Sequence, residues 1–425
     1  MQIIKYPPRD EWEKLISRPV LDNSDLFESV KNILDDVREN GDQAVMKYCE
    51  KFDKVSLNTL SVSPEEIAEA EALVSEDLKI AIKTAKTNIE TFHRSQQTVS
   101  RKIETMPGVV CWQKAVGIEK VGLYIPGGNA PLFSTVMMLA VPARIAGCKE
   151  IILCTPPDKA GKISPAILFA AQESGVGRIF KIGGIQAVAA MTYGTESVPA
   201  VYKIFGPGNQ YVTAAKQLVS LRDTAIDMPA GPSEVEVIAD ATANSAFVAA
   251  DMLSQAEHGV DSQAVLVTVD ETLAEKVIAE IDKQLNELPR KDLAEKSLEN
   301  SRIIILRDRS EVIDFTNAYA PEHLIIETAD YSELAEQIVN AGSVFLGHLT
   351  PESAGDYASG TNHTLPTGGY AKMYSGVNLD SFVKKITFQE ISRTGVQNIG
   401  RTIETMAKAE SMYAHANAIN LRIRG

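Results

Sequence analysis

Six histidines are present, His93, His258, His323, His348, His363 and His415, and four of them fall between residues 258 and 363. Imidazole moves protons near neutral pH and is the commonest metal ligand. Glu322 immediately precedes His323 in A-P-E-H-L. Such a pair can supply a water activator and a general base; a polar turn ahead of a strand is the plainer reading. Gln255 and His258 lie three apart in A-A-D-M-L-S-Q-A-E-H-G, residues 249–259. On a helix that spacing makes them neighbours on one face, where an amide oxygen and an imidazole could hold a metal or a polar substrate. A solvated helix end with a dipole-favoured His is the plainer reading. Asp356, in A-G-D-Y, is a carboxylate ligand or a turn residue. Zinc favours His nitrogen and carboxylate oxygen, but H-E-x-x-H and paired C-x-x-C are absent, so spacing alone establishes no metal.

These side chains need elements to hold them. Val248, Ala249, Met252, Leu253 and Ala256 recur at helical spacing and form one apolar stripe, with Asp251, Ser254, Gln255 and His258 on roughly the opposite face. Gly259 is a natural stop. Elsewhere, glycine turns follow expected strands: P-G-G at Pro126, G-G at Gly183 and G-P-G-N at Gly206. No G-x-G-x-x-G occurs. Backbone N–H groups in such turns and the helix N-termini after them favour anions. Open α/β sheets bind ligands at the carboxyl ends of their strands, so a nucleotide or substrate cleft is expected along that edge.

The first 120 residues read mostly helical. Leu26, Val30, Ile33, Leu34 and Val37 form a run that Gly41 stops, and Ser63, Pro64 and Glu66 form a capping box with Pro at the first position. A long helix runs toward His93, and a short antiparallel pair is expected over 108–118. From Val121 strands and helices alternate, with strands at 121–125, 151–154, 179–182 and 201–205. The rhythm repeats with strands at 235–238, 264–269, 303–306, 324–326 and 344–346, a helix at 332–340, and a surface loop or helix end over 284–301. From Gly347 to Asp380 periodicity is lost, and a segment of that length is usually functional. The tail from Ile391 carries Val396, Ile399, Ile403 and Met406 at helical spacing, an apolar face that needs a second surface to cover it.

A chain of 425 residues with 44% apolar and 23% charged residues is an ordinary globular protein with room for two or more domains. Its net charge of −14 argues against nucleic acid or an anionic membrane as the main partner. No signal layout and no apolar run of about 18 residues occurs, so the cytoplasm is the expected location. Cys49, Cys111, Cys148 and Cys154 form no C-x-x-C pair and read as structural thiols.

Taken together in order, V-G-L-Y-I-P-G-G from Val121, F-G-P-G-N from Phe205, D-M-P-A-G-P-S-E from Asp227, L-S-Q-A-E-H-G from Leu253, A-P-E-H-L from Ala320 and G-D-Y-A-S-G-T-N-H from Gly355 resemble the histidinol dehydrogenase family over about residues 120–380. That resemblance implies zinc-dependent oxidation of L-histidinol to L-histidine through an aldehyde, with two NAD molecules reduced in turn. It implies zinc ligation by Gln255, His258, Asp356 and His415, the last from the other subunit of a homodimer. His323 would be the general base and Glu322 would activate water. Ser233, His363 and Glu410 would help place the substrate, which the zinc ligands and His323 also border, and Tyr124, Gln186 and Asn209 would contact NAD. Glu410 and His415 are five apart, so a helix that carries one must end before the other, or they serve different parts of the site.

The expected fold is α/β: two doubly wound, incomplete Rossmann-like parallel-sheet units with an N-terminal helical region and a C-terminal helical tail. The expected divisions are an N-terminal arm (1–21), a helical region (22–120) packing with the second unit (236–380) on the substrate and zinc side, a first unit (121–235) on the NAD side, and a tail (381–425) exchanged in the dimer. A dehydrogenase of the same scaffold acting on another small amino alcohol or polyol is the alternative activity; a two-lobed metal or solute binder is the alternative class. NADH formation separates enzyme from binder.

Overall fold

The computed structural model describes residues 1–18, 24–127, 131–229 and 231–424. Parts of the glycine turn at 126–131, the end of the 1–21 arm and residue 230 of D-M-P-A-G-P-S-E lie outside the described residues.

The strands, in chain order, are β1 (Gln2–Lys5), β2 (Ile103–Met106), β3 (Val109–Gly117), β4 (Lys120–Tyr124), β5 (Glu150–Thr155), β6 (Arg178–Lys181), β7 (Lys203–Phe205), β8 (Ala225–Ile226), β9 (Glu234–Ala239), β10 (Gln263–Thr268), β11 (Arg302–Ile305), β12 (His323–Glu327), β13 (Ser343–Leu346) and β14 (Val383–Ile391). Two parallel sheets result. The first has the order β6-β5-β4-β7-β8 and the second β1-β11-β10-β9-β12-β13. The chain starts the first sheet at its centre with β4, winds out through β5 and β6, returns and winds out through β7 and β8; the second unit repeats this from β9 through β10 and β11 and back to β12 and β13, with β1 added at the β11 edge. The two doubly wound units expected from the alternation are therefore present, with helices leading in and out. β9 and β10 are buried throughout, as strands covered on both faces are, although β9 carries Glu234 and Glu236 in its run E-V-E-V-I-A.

Several local expectations need correction. The short antiparallel pair over 108–118 is instead one strand, β3, flanked by β2 and β14 in a separate antiparallel sheet. Its pairing partner β14 lies more than 260 residues away, a distance no local pattern reveals. Residues 284–301 contain the helix Lys291–Leu298, and the helix expected at 332–340 is the short Tyr331–Ala335. The N-terminal arm is not free: β1 forms the parallel edge of the second sheet beside β11.

The helical region also sits elsewhere than expected. Val30, Leu34, Val37 and Val45 of the helix Ser24–Tyr48 share a core with Ile152, Phe180 and Ile204 of the first sheet. Ile82, Ala85 and Ile89 of the helix Glu76–Ser95 pack with Leu123, Leu139 and Phe169. The apolar faces of this region thus cover mainly the first unit, and the region reaches 236–380 at Val377, Ala358, Asn362 and Leu379; the second unit closes its faces largely with its own helices. Gly41, at φ +52°, breaks the helix run where the sequence places a stop. Ser63 and Glu66 form the reciprocal capping box, with Pro64 at the first helical position.

In the second unit, Val248, Ala249, Met252, Leu253 and Ala256 of the helix Ser245–Ala256 are all buried against β9 and β10. That stripe fixes the helix on the sheet, so its C-terminal end returns to the level at which β9 and β12 begin. Among the described residues no helix is long and apolar enough to cross a membrane.

Candidate active site

A cavity of about 670 Å³ lies between the two units. From the first unit it takes the turn after β7, Gly206–Asn209, at the carboxyl edge. From the second it takes Ser233, Glu322 and His323, at the amino ends of β9 and β12. The carboxyl-edge rule therefore describes one wall only. The polar chemistry stands on the other.

His323 opens β12 and is almost fully buried. Its Nδ1 lies 3.8 Å from Glu322 Oε2 and 3.8 Å from Glu352 Oε1, and its Nε2 lies 3.5 Å from Asp356 Oδ1. Burial alone would lower the imidazole pKa; the surrounding carboxylates outweigh it and hold the pKa raised, at about 10. Burial pushes Glu322 up to about 7, which lets this carboxyl gain and lose a proton near neutrality. The Glu234 backbone N–H donates to Glu322 Oε2 at 2.9 Å.

Beside this pair, His258, Glu352 and Asp356 each offer a ligand atom, all within 4.8 Å of one another. Gln255 is fully buried, and neither its Oε1 nor its Nε2 has a partner among the described residues. An amide left unmade in this way costs about 1–3 kcal/mol, so its orphaned oxygen fits a group bound at this position. The donor set, imidazole with carboxylates and an amide oxygen, suits zinc.

The helix expectation is corrected in two respects. The helix ends at Ala256, so His258 lies just beyond it, its N–H bonded to the Gln255 carbonyl at 3.2 Å. The face expected to be solvated is instead buried at Asp251 and Gln255, because the short helix Glu352–Tyr357 packs on it.

His363 Nδ1 lies 2.8 Å from the Asp356 carbonyl, so it carries the proton, and Nε2 accepts from the Thr135 hydroxyl at 3.1 Å. Ser233 lines the cavity, its carbonyl bonded to Gln263 N. Asn209 also lines it, while its side chain caps the helix Gln210–Ser220. Tyr124 and Gln186 do not reach the cavity wall. They are buried beneath the Gly183–Gly184 turn: the Tyr124 hydroxyl accepts from Gly184 N at 3.1 Å, and Gln186 Nε2 donates to Asp53 at 3.2 Å. Gly206 holds the adjoining turn against β4. At φ +125°, a Cβ there would fall 2.0 Å from the Tyr124 carbonyl oxygen. Its N–H donates to Asp227 and its carbonyl accepts from Lys216, each at 2.8 Å.

Glu410 and His415 are not in this cavity. Both are exposed on the tail. The helix Arg393–Ala409 ends at Glu410 and a second helix, Tyr413–Arg424, starts before His415, so the helix breaks between them as their spacing requires. No cysteine lines the cavity among the described residues, and burial pushes the Cys49 and Cys148 thiols up to about 12, which leaves them inert.

The motifs assign no role to three neighbours of the site: Glu352, Arg18 and Glu234, the last residue of D-M-P-A-G-P-S-E. Glu352 had a legible sign, since it stands four residues before Asp356 on the same short helix. Arg18 and Glu234 meet across more than 200 residues of chain.

A sequence model of the family described as histidinol dehydrogenase matches residues 16–423. The histidinol dehydrogenase of Bacteroides thetaiotaomicron is 67% identical over 423 residues, spanning 100% of this chain and 99% of that relative. The one from Salmonella typhimurium is 52% identical over 417 residues, spanning 97% and 95%. A crystal structure of histidinol dehydrogenase from Elizabethkingia anophelis, 55% identical, superposes with a TM-score of 0.98 over 100% of this chain and 98% of that one. With the motifs, the two-unit fold and the histidine–carboxylate site in agreement, this chain belongs to the histidinol dehydrogenase family.

Proposed function

We propose that the chain oxidises L-histidinol to L-histidine in two NAD-dependent steps at the cavity between its units, with zinc bound. The observation that carries this reading is the placement of His323 and Glu322 beside His258, Asp356 and the orphaned Gln255. In the first step the alcohol loses a proton and a hydride and becomes the aldehyde. In the second, water adds to the aldehyde carbon, and loss of a hydride and two protons leaves the carboxylate.

His323 takes the hydroxyl proton of the alcohol, and Glu322 takes a proton from the attacking water. Gln255, His258 and Asp356 would hold zinc, which supplies a template for the substrate's amine and imidazole and stabilises developing charge. NAD, when bound, would supply the hydride acceptor for each step. A cation held there would offset the carboxylate charge that raises the His323 pKa, which would favour the neutral imidazole a base needs. Ser233 and His363 border the substrate, and Asn209, Tyr124 and Gln186 build the cofactor side.

His415 and Glu410 reach the site from a second copy of the chain. Their exposure away from the cavity in their own chain, and the exposed Met406, Met412 and Leu421 of the tail, support a homodimer with exchanged tails.

The test is NADH formation from L-histidinol by the zinc-loaded protein, wild type against His323→Gln. The variant is expected to fold and retain zinc while turnover drops by about 10²- to 10⁴-fold. A near-normal kcat would overturn the base assignment.

A further inference from the structure

The described part of the N-terminal arm reaches the cavity at Arg18. β1 ties it to β11, and buried Trp12 meets Phe315 edge to face at 5.4 Å. Arg302 donates to the carbonyls of Lys14 and Leu15. These contacts deliver Arg18 to a mostly buried position against the cavity. Its guanidinium stacks over the Tyr319 ring, 3.8 Å from the ring centre, and donates to the Tyr319 carbonyl at 2.6 Å. Nε and Nη2 then grip both oxygens of the Glu234 carboxylate, at 2.6 and 2.9 Å. This is the planar two-point pairing that arginine makes and lysine cannot.

Glu234 is 1% exposed, and a carboxylate so placed is costly without a cation beside it. It is also the first residue of β9, next to Ser233, and β9 pairs with β12 so that Val235 faces His323. From there its backbone N–H reaches Glu322 Oε2 at 2.9 Å. The line of contacts runs from Arg18 through the Glu234 carboxylate and backbone to the carboxyl that activates water.

We propose that Arg18 is a positioning residue for the second oxidation: by fixing Glu234 it orients the Glu322 carboxylate toward the attacking water. This rests on the reading of Glu322 as the water activator. The alcohol step needs His323 and not Glu322, so the two steps separate a positioning role from a merely structural ion pair. A structural pair would affect both steps alike.

The experiment uses the zinc-loaded enzyme with L-histidinol, following the first NADH formed, and separately with the aldehyde as substrate. Arg18→Met is expected to slow aldehyde oxidation by about 10- to 100-fold, the size of effect a misplaced group produces, with alcohol oxidation changed by less than about threefold. Zinc content stays at the wild-type level. Added guanidinium at millimolar concentration restores the aldehyde step in Arg18→Ala. Should Arg18→Met not fold, Arg18→Lys carries the test: it keeps the charge but not the fork, and the aldehyde step alone is expected to slow. Equal slowing of both steps, an unchanged aldehyde step, or no rescue by guanidinium would each overturn the proposal. Glu322→Gln is measured alongside. If it leaves the aldehyde step intact, the water-activation reading fails; if it abolishes that step while the Arg18 variants do not slow it, only the role of Arg18 fails.

Discussion

Glu236 lies in the middle of β9 with no exposure, and one of its oxygens accepts from the Thr316 hydroxyl while the other has no partner among the described residues. Burial, with the nearby Glu234 charge adding to it, pushes its pKa up to about 8; Thr316 and Arg18 offset this only in part. In the unfolded chain the same carboxyl titrates near about 4.3. Between those values the folded state holds a proton that the unfolded state has released, so stability falls as pH rises through this window. Glu236→Gln keeps the bond from Thr316 and removes the titration. Its melting temperature is therefore expected to overtake that of the wild type as pH is raised from about 5 to about 8; parallel curves across that range would refute the linkage. At this scale the sequence is legible where residues stand together. Glu322 and His323 are adjacent, and Gln255 and His258 are three apart. It is silent where residues meet only through the fold. Nothing in the neighbourhood of Arg18 or Glu234 announces that a guanidinium from the first eighteen residues will steady a carboxylate more than 200 positions on.

Elements were read unequally well, for physical reasons. The capping box at Ser63 and the apolar stripe of the helix Ser245–Ala256 are local patterns, and both appear where the residues place them. Buried parallel strands such as β5 and β10 announce themselves by apolar runs, whereas β9 interrupts its run with Glu234 and Glu236. The pairing of β3 with β14 depends on residues far apart in the chain, and the end of a helix shifts by a residue or two with its surroundings, which is how His258 comes to lie beyond the helix rather than on it. The turn after β7 gives a prediction at this scale. Gly206 combines a left-handed backbone with a carbonyl oxygen 2.0 Å from where a Cβ would stand. Gly206→Ala is therefore expected to cost at least about 1–3 kcal/mol in unfolding experiments. Because Asn209 follows in the same turn, its KM for NAD is expected to rise more than its KM for histidinol. Equal stability and an unchanged KM for NAD would show that the turn tolerates the change.

At the scale of the molecule, the doubly wound pattern was visible in the alternation of elements, while the attachment of the helical region was not. An amphipathic helix shows that it must cover something; only the assembled sheets decide what. The same holds for the tail, whose exposed apolar residues and distant His415 motivate an exchanged dimer. If sites are shared, His258→Ala and His415→Ala chains are each inactive alone, yet mixed subunits form one site free of both changes. Dissociating and reassociating equal amounts is then expected to return about a quarter of wild-type activity, since half the dimers are mixed and each holds one intact site of two. Mixtures as inactive as their components would place His415 outside the site.

The two walls of the cavity are built from opposite ends of their elements. On the first wall the helices Phe133–Ala146 and Gln210–Ser220 begin at the cavity, and on the second the helices Ser245–Ala256 and Glu352–Tyr357 end there. Aligned peptide groups make the first wall partly positive and the second partly negative. The cavity is thus an electrically sorted vessel. A wall of each polarity suits anionic groups on one side and cationic groups on the other. Two ligands of opposite charge can share one opening without competing for the same wall.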